Sequence, residues 1–326
     1  MAKINMVTAL NKTLHASMAA DDTVVIMGED VGVNGGVFRV TDGLYEKYGR
    51  NRVIDTPIAE SAILGAAIGM AMAGLKPVVE MQFSGFSYLM MHQLEGNASR
   101  MRTRSRGRFT VPLVVRMPYG GGVRALEHHS ESKEVYWAHT AGVKVVIPSS
   151  PSNAAALLSA AIEDPDPVVF MEPKRSYRSF KEETEISDPA FKIGKAHVKE
   201  PGTDITLISW GAMMRDTLKA VEQVQSQTRF SPEIIDLLTI SPMDADTIVT
   251  SVKKTGRCVV VQEAQQSFGP ASEIIALIND QALLYLEAPV KRVTMADVVM
   301  PLFAREQLYM PSVSDISRAI EETLNF

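Results

Sequence analysis

The sequence predicts an α/β fold in two domains, each with a mainly parallel sheet covered by helices on both faces. Three observations carry this. Short, continuous β-branched runs recur at Thr-Val-Val-Ile-Met (23–27), Pro-Val-Val-Glu-Met (77–81), Leu-Val-Val-Arg-Met (113–117), Lys-Val-Val-Ile-Pro (144–148) and Pro-Val-Val-Phe-Met (167–171). Strands without polar alternation are buried on both faces, which is the situation of a parallel sheet. Helical segments at 60–74, 86–103, 131–139 and 151–163 fall between them and supply the covering layers. Finally, 326 residues exceed what one core usually holds.

In chain order, residues 4–19 place Met6, Leu10, Leu14 and Met18 four apart, on one helix face, and Asp21-Asp22 ends that helix. Arg-Val-Ile (52–54) is a short strand before the helix at 60–74. From Glu172 to Gly202 the sequence is charged and without period, which predicts a linker wrapping the surface; its centre, 181–200, separates domain 1–180 from domain 201–326. The second α/β set then reads strand 204–209, helix 212–226, strand 232–236, helix 243–254, strand 257–262, helix 270–281 and strand 290–294. Composition is that of an ordinary globular protein, 46% apolar and 22% charged. A net charge of −5 argues against nucleic acid as a partner. The single cysteine, Cys258, allows no disulfide framework or thiolate metal cage within one chain. No apolar stretch at the N-terminus suits a signal peptide, and residues 61–75 are too few and too rich in Gly and Ala for a membrane span. The expected setting is cytoplasmic, or the mitochondrial matrix after loss of a transit peptide.

Ligands of open α/β sheets gather at the carboxyl ends of strands. The loops there are Gly-Glu-Asp-Val-Gly (28–32), Asp-Thr-Pro-Ile-Ala-Glu (55–60), Gln-Phe-Ser-Gly-Phe (82–86) and Pro-Tyr-Gly-Gly-Gly-Val-Arg-Ala-Leu-Glu-His-His-Ser (118–130). Glu60 opens a helix whose apolar sequence predicts burial on nearly every side, and its small residues Gly65, Gly69 and Ala73 let another backbone approach. Taken alone, an acid in a first helical turn is explained by the helix dipole. Set between Pro57-Ile58 and an apolar helix, a desolvated carboxyl can instead exchange a proton with a ligand nitrogen. His128-His129 follow three successive glycines (120–122), which suggest close approach to the backbone. No His-Glu-x-x-His supports zinc, and no G-x-G-x-x-G supports a nicotinamide dinucleotide. Phe83, Phe86 and Tyr88 are core candidates that could also stack on a heteroaromatic ring. The alternating arginines at 100, 102, 104, 106 and 108 suit a solvated helix end or a salt-bridged subunit contact in so acidic a chain. Ile-Glu-Asp-Pro-Asp-Pro-Val (162–168) is a turn that could hold a hard cation or simply turn the chain.

Several of these motifs agree together. Gly-Glu-Asp-Val-Gly with Gly-Gly-Val-Phe-Arg-Val-Thr-Asp-Gly-Leu, then Asp-Thr-Pro-Ile-Ala-Glu, Glu-His-His-Ser-Glu-Ser and Glu-Pro-Lys-Arg-Ser-Tyr-Arg occur in one order. With Ile-Asp-Leu-Leu-Thr-Ile-Ser-Pro-Met-Asp (235–244) and Lys-Thr-Gly-Arg-Cys-Val-Val-Val-Gln-Glu (254–263), the whole chain resembles the β subunit of heterotetrameric 2-oxo acid dehydrogenase E1 components. The resemblance implies a thiamine-pyrimidine-binding parallel-sheet domain and a transketolase C-terminal-like α/β domain. It implies thiamine diphosphate, with Glu60 hydrogen-bonding N1′ of the aminopyrimidine, Phe86 stacked on that ring and Ile58 helping to keep the cofactor bent. Glu29 would approach the same cofactor. His129 would serve the substrate and the transfer of the acyl group to a lipoyl dithiolane. A potassium ion would be held through carbonyls of Leu113, Ala161 and Ile162 and groups at Asp164 and Asp166, the last often Asn in the family.

Single-chain thiamine enzymes carry Gly-Asp-Gly with a later Asn to bind Mg²⁺ and the diphosphate, and this chain has no Gly-Asp-Gly. It therefore supplies the pyrimidine half of a site. An E1 α subunit bringing Mg²⁺ is expected, in an α2β2 assembly with cofactors between subunits, and a lipoyl acyltransferase E2 is expected to dock on the C-terminal domain. Pyruvate is the first substrate expected, with branched-chain 2-oxo acids or acetoin as alternatives. A non-catalytic subunit of the same fold would be expected to have lost Glu60 or His129, and a self-sufficient transketolase-like enzyme would need the diphosphate motif.

Overall fold

The computed structural model describes residues 3–186 and 188–326. The first domain runs β1 (Lys3–Ile4), α1 (Met6–Ala20), β2 (Val24–Gly28), α2 (Leu44–Tyr48), β3 (Val53–Asp55), α3 (Glu60–Met72), β4 (Lys76–Glu80), α4 (Met91–Gly96), α5 (Met101–Arg104), β5 (Val114–Tyr119), α6 (Glu134–Ala138), β6 (Lys144–Val146), α7 (Pro151–Glu163) and β7 (Val168–Pro173). After β8 (Glu182–Glu183), which pairs with β1, come β9 (His197–Glu200), β10 (Ile205–Ser209), α8 (Met213–Gln225), β11 (Pro232–Asp236) and β12 (Thr239–Ser241). The chain ends with α9 (Ala245–Thr255), β13 (Cys258–Gln265), α10 (Pro270–Ala282), β14 (Lys291–Met295), α11 (Glu306–Tyr309) and α12 (Val313–Leu324).

The larger sheet has the order β12-β6-β7-β5-β4-β2-β3 and the smaller β14-β13-β10-β11-β9. Both are parallel except at one edge, where β12 and β9 run antiparallel to their neighbours. Val-Val pairs open three of the strands and lie in register: Val24 and Val25 face Lys76 and Pro77, and Val114 and Val115 face Val168 and Val169. Capping fixes the helix starts. Ser150 accepts from the Asn153 amide with Pro151 at the first helical position, and Ser312 and Asp315 make the same reciprocal box for α12. Asp244 caps α9, which ends at the left-handed Gly256.

β12 belongs by sequence to the second domain but lies in the first domain's sheet. One core crosses the same boundary, joining Leu64, Met117 and Trp137 to Ile208, Trp210, Ile235 and Val260. The domains are thus welded together.

Four expectations need correction. The helix expected over 86–103 is four short pieces, two of them single 3₁₀ turns at Ser87–Met90 and Ala98–Arg100, with a break at Asn97, whose backbone leaves the helical region. The start of the presumed surface linker is interior: Glu172, Lys174, Ser176 and Tyr177 are buried, because their polar groups find partners. β9 also falls inside that segment, as an edge strand of the smaller sheet. Finally, α3 is not covered on every side by this chain: Ile63, Leu64, Ala67, Ile68 and Ala71 are buried, while Ala62, Ala66, Gly69 and Ala73 are exposed.

Candidate active site

The loop after β2 is fastened at several points. The Asp55 carboxylate, at the end of β3, accepts from the Gly32 amide at 2.6 Å and the Val33 amide at 3.3 Å. Thr41 Oγ1 donates to the Val31 carbonyl at 2.7 Å, and Gln82 Nε2 donates to Asp30 at 3.1 Å. Glu29 is carried into the interior by this loop, and its Oε1 is buried without a hydrogen-bond partner. Burial first, then the charges of Glu60 and Asp30, pushes its carboxyl above the ordinary range.

Glu60 is the first residue of α3 and is buried, at 4% exposure. It borders a shallow hollow of about 700 Å³, lined also by Ile58, Ser61, Gly65, Leu89 and Gln93. Ile58 and Leu89 are 83% and 64% exposed, so two large apolar side chains stand in water beside a buried acid. A larger cleft of about 1500 Å³, lined by Arg100, Arg104, His139 and Phe268 among others, includes none of Glu29, Glu60, Phe86 or His129. Size does not mark the site; the chemistry of its lining does.

The third part is aromatic. Phe86 meets Phe83 edge to face at 5.8 Å and His129 at 5.3 Å, and Phe83 meets His129 at 4.1 Å with the rings at 81°. His129 Nδ1 is buried and unpartnered. Burial first, then the neighbouring His128 and the Lys174 ammonium, holds this imidazole below its ordinary pKa, against a smaller pull from Glu127. The buried Lys174, at the end of β7, donates to the His129 carbonyl and lies 5.3 Å from the Phe83 ring centroid. Its desolvation brings its pKa down to about 8.

Beneath these loops lies a buried charge cluster. Arg116 donates to Glu172 at 2.7 and 2.9 Å and to Glu80 at 2.8 Å, and Tyr177 donates to Glu172 at 2.5 Å. One guanidinium serves two carboxyls, and desolvation raises Glu80 despite it. The cluster ties β4, β5 and β7 together at the strand ends that carry the site.

Glu29, Glu60, Phe86 and His129 therefore stand at the carboxyl ends of neighbouring strands, with Ile58 at the rim. The fit to a thiamine pyrimidine can be tested on the unpartnered atoms. A buried carboxylate at a helix start and a second one with a free oxygen suit a nitrogen-rich ring, and the half-exposed Phe86 offers a stacking face. The residues fit that half of the cofactor.

Leu113, Ala161, Ile162, Asp164 and Asp166 gather elsewhere, at the opposite ends of β5 and β7. The Leu113 and Ala161 carbonyls accept from the amides of Val168 at 2.9 Å and Asp164 at 3.3 Å. The Asp164 carboxylate is taken by Lys144 at 2.6 and 2.7 Å, and that of Asp166 by Arg102 at 2.7 Å. Among the described residues no cluster of three His, Cys, Asp or Glu side chains could hold a metal ion. Of the alternating arginines, Arg100 pairs with Glu95 at 3.4 Å and Arg104 donates to the Gly96 carbonyl at 2.7 Å, all on the exposed surface.

Residues not singled out from sequence also shape the site: Lys174, Arg175, Glu263 and Glu306. The signal for Lys174-Arg175 was present, since the pair follows the strand Pro-Val-Val-Phe-Met at its carboxyl end. None was available for Glu306, which acts across 184 residues of sequence.

Comparisons with known proteins agree with this geometry. Residues 2–179 match the transketolase pyrimidine binding domain and residues 194–316 the transketolase C-terminal domain. The chain is 51% identical over 322 residues to the pyruvate dehydrogenase E1 component subunit beta of Acholeplasma laidlawii, covering 99% of this chain and 98% of that one. It is 47% identical to the protein of the same name from Bacillus subtilis strain 168, over the full length of both. Among solved structures, a split gene transketolase, an inactive β4 tetramer, shares the fold with a TM-score of 0.80 over 99% of each chain at 19% identity.

Proposed function

Because this chain belongs to the family of pyruvate dehydrogenase E1 component β subunits, we propose that it is the β half of a thiamine-diphosphate-dependent E1 acting on pyruvate. The observation that carries this is the placement of two pairs, buried Glu60 with Glu29 and Phe86 with His129, at the carboxyl ends of neighbouring strands. When bound, thiamine diphosphate supplies a carbon nucleophile and an electron sink for decarboxylation. Glu60 would hold a proton at the pyrimidine N1′, Phe86 would stack on that ring, and Ile58 would support its bent form. Glu29, with its free oxygen, would hold a proton or water next to Glu60. His129, kept neutral near pH 7, would accept or return a proton at the substrate and during acyl transfer to a lipoyl dithiolane.

An α subunit would bring Mg²⁺ and the diphosphate site in an α2β2 tetramer. The exposed Ala62, Ala66, Gly69 and Ala73 of α3 beside exposed Ile58 and Leu89 support that cover. E2 docking on the second domain is supported by the exposed Leu283, Leu284 and Tyr285 and by an acidic chain that suits a basic docking module. At the 113/161–166 turn, Lys144 and Arg102 already engage the carboxylates. What remains is carbonyl oxygen, which suits a weakly held monovalent cation such as potassium. No helix among the described residues is long and apolar enough to cross a membrane, and a cytoplasmic setting is proposed.

The test is co-expression of this chain with and without a candidate α subunit, followed by cofactor-dependent decarboxylation of pyruvate, branched-chain 2-oxo acids and acetoin. Turnover is expected only from the pair, with pyruvate preferred. Turnover from this chain alone would overturn the split site.

A further inference from the structure

We propose that Glu306 and Glu263, both of the second domain, are positioning residues for His129, clamping the glycine-rich loop from which that imidazole is presented. The role of His129 rests on the function proposed above; the clamp itself does not. Glu306 is 1% exposed, and its two carboxylate oxygens accept from the backbone amides of Gly122 at 2.7 Å and Arg124 at 2.9 Å. Glu263, 3% exposed, accepts from the Gly121 amide at 2.7 Å and from Ser132 Oγ at 2.9 Å. Two buried carboxylates thus collect three amides from a stretch of four residues. The loop has no ladder of its own to satisfy those donors.

Close packing around the clamp also accounts for the three glycines. A Cβ on Gly120 would lie 2.6 Å from Glu263 Oε1, and one on Gly121 would lie 2.7 Å from Met300 Cε and 3.2 Å from Glu306 Oε1. On Gly122 it would lie 2.5 Å from Arg175 Cδ. At Gly120 and Gly121 what approaches the backbone so closely is the wall of the second domain; at Gly122 it is Arg175 of the first domain, itself paired with Asp216 of the second. Left-handed backbone at Gly120, Gly122 and Arg124 folds the loop onto that wall.

From the clamp to the imidazole the path is short. The Gly120 amide donates to the Glu131 carbonyl at 3.1 Å and closes the base of the loop. The His129 amide and Ser130 Oγ both donate to the Leu126 carbonyl at 3.0 Å, so the single turn Glu127–His129 is built directly on the clamped segment. Lys174, drawn by the charges of Glu263 and Glu306, holds the His129 carbonyl from the other side. Moving the carboxylates moves the platform of His129.

Glu306→Gln keeps the size of the side chain but turns one acceptor into a donor facing an amide. Gly121→Ala leaves both carboxylates chemically intact and instead pushes the loop off the second domain, since its Cβ would lie 2.7 Å from Met300 Cε and 3.2 Å from Glu306 Oε1. Both variants would be made in the assembled tetramer. Hydrogen exchange of the peptide spanning residues 118–130 should rise about tenfold for each, the factor that one charge-assisted hydrogen bond represents. Turnover with a free lipoyl domain should fall by about the same factor relative to turnover with an artificial electron acceptor. In a His129→Ala background, Glu306→Gln should cost no further lipoyl-dependent turnover, since a residue acting through His129 has nothing left to position. Unchanged exchange in both variants would overturn the clamp. Raised exchange with a fully additive loss in the His129→Ala background would overturn the positioning role. A wild-type tetramer without turnover on any 2-oxo acid would sink the function proposed for the chain, while the exchange measurement still judges the clamp.

Discussion

Glu60 has a neighbour that a capping acid would not need. Glu29 is buried beside it with an unpartnered oxygen, and its own carboxyl is held above the ordinary range by burial and by that neighbour's charge. Two acids brought together away from water favour sharing or passing a proton, which is the task proposed for the pair. Glu60→Gln in the tetramer should therefore lower decarboxylation about 10²–10⁴-fold, the usual worth of a positioned acid–base group. Gel filtration should show assembly intact, and an unimpaired rate would remove the residue from the chemistry. Arg116 poses the opposite question, one of stability. It is the sole cation bonded to Glu80 and Glu172 among the described residues. Breaking a buried ion cluster by removing one partner costs about 3–5 kcal/mol, far more than exposed pairs such as Arg100–Glu95 contribute. Arg116→Leu should lose that much in urea unfolding, and adding Glu80→Gln with Glu172→Gln should recover part of it. A loss under about 1 kcal/mol would mean that solvent reaches the cluster.

Among the elements, α3 separates what a single chain stabilises from what an assembly needs. A Cβ placed on Gly69 meets nothing within 4 Å, so a larger residue there is free of clashes in this chain. Replacing an exposed helical glycine by leucine should stabilise the isolated chain by up to about 1 kcal/mol. If the exposed Ala62, Ala66, Gly69 and Ala73 face receives another backbone, Gly69→Leu should also abolish tetramer formation with the α subunit, seen by gel filtration or light scattering. A stabilised chain that still assembles would show that this face is not the contact. The same helix shows where the sequence was legible. Its apolar content and the Glu60 start are local patterns and read correctly, as do the Val-Val strands and the capped α7. What was not legible depended on distant partners. An apolar helix carries no mark of whether its own chain covers it. Glu172 and Lys174 look like surface because their partners, Arg116 and the His129 carbonyl, lie 56 and 45 residues away. The glycine triplet correctly announced a close approach, but the approaching groups were protein: the second domain at Gly120 and Gly121, and Arg175 at Gly122.

At the level of the whole molecule, the join between the domains carries two carboxyls whose ionisation opposes folding. Glu134 accepts from Trp210 Nε1 at 3.2 Å, and burial pushes its carboxyl up to about 7. Asp236 is bonded by Ser149 and, at 3.2 Å, by Asn153, yet burial pushes it to about 7 as well. Each also has one buried oxygen without a partner, a smaller penalty for a neutral acid than for an anion. The sign follows from comparing folded and unfolded chains. Unfolded, these groups release their protons near the ordinary values of 4.5 and 3.8; folded, they keep them until about 7. Over that interval the folded state binds more protons, so their contribution to stability is full below about 4, declines as pH rises, and is gone above about 7. Glu134→Gln and Asp236→Asn cannot ionise and should escape that decline. Measured by urea unfolding at pH 5 and pH 8, the stability of each variant relative to wild type should increase with pH. The fluorescence of Trp210 should titrate near pH 7 in wild type and in Asp236→Asn, but not in Glu134→Gln. Parallel pH profiles for variant and wild type would show that these carboxyls are already ionised in the folded protein. The join between the domains would then be held by its shared apolar core, with no contribution from protonated acids.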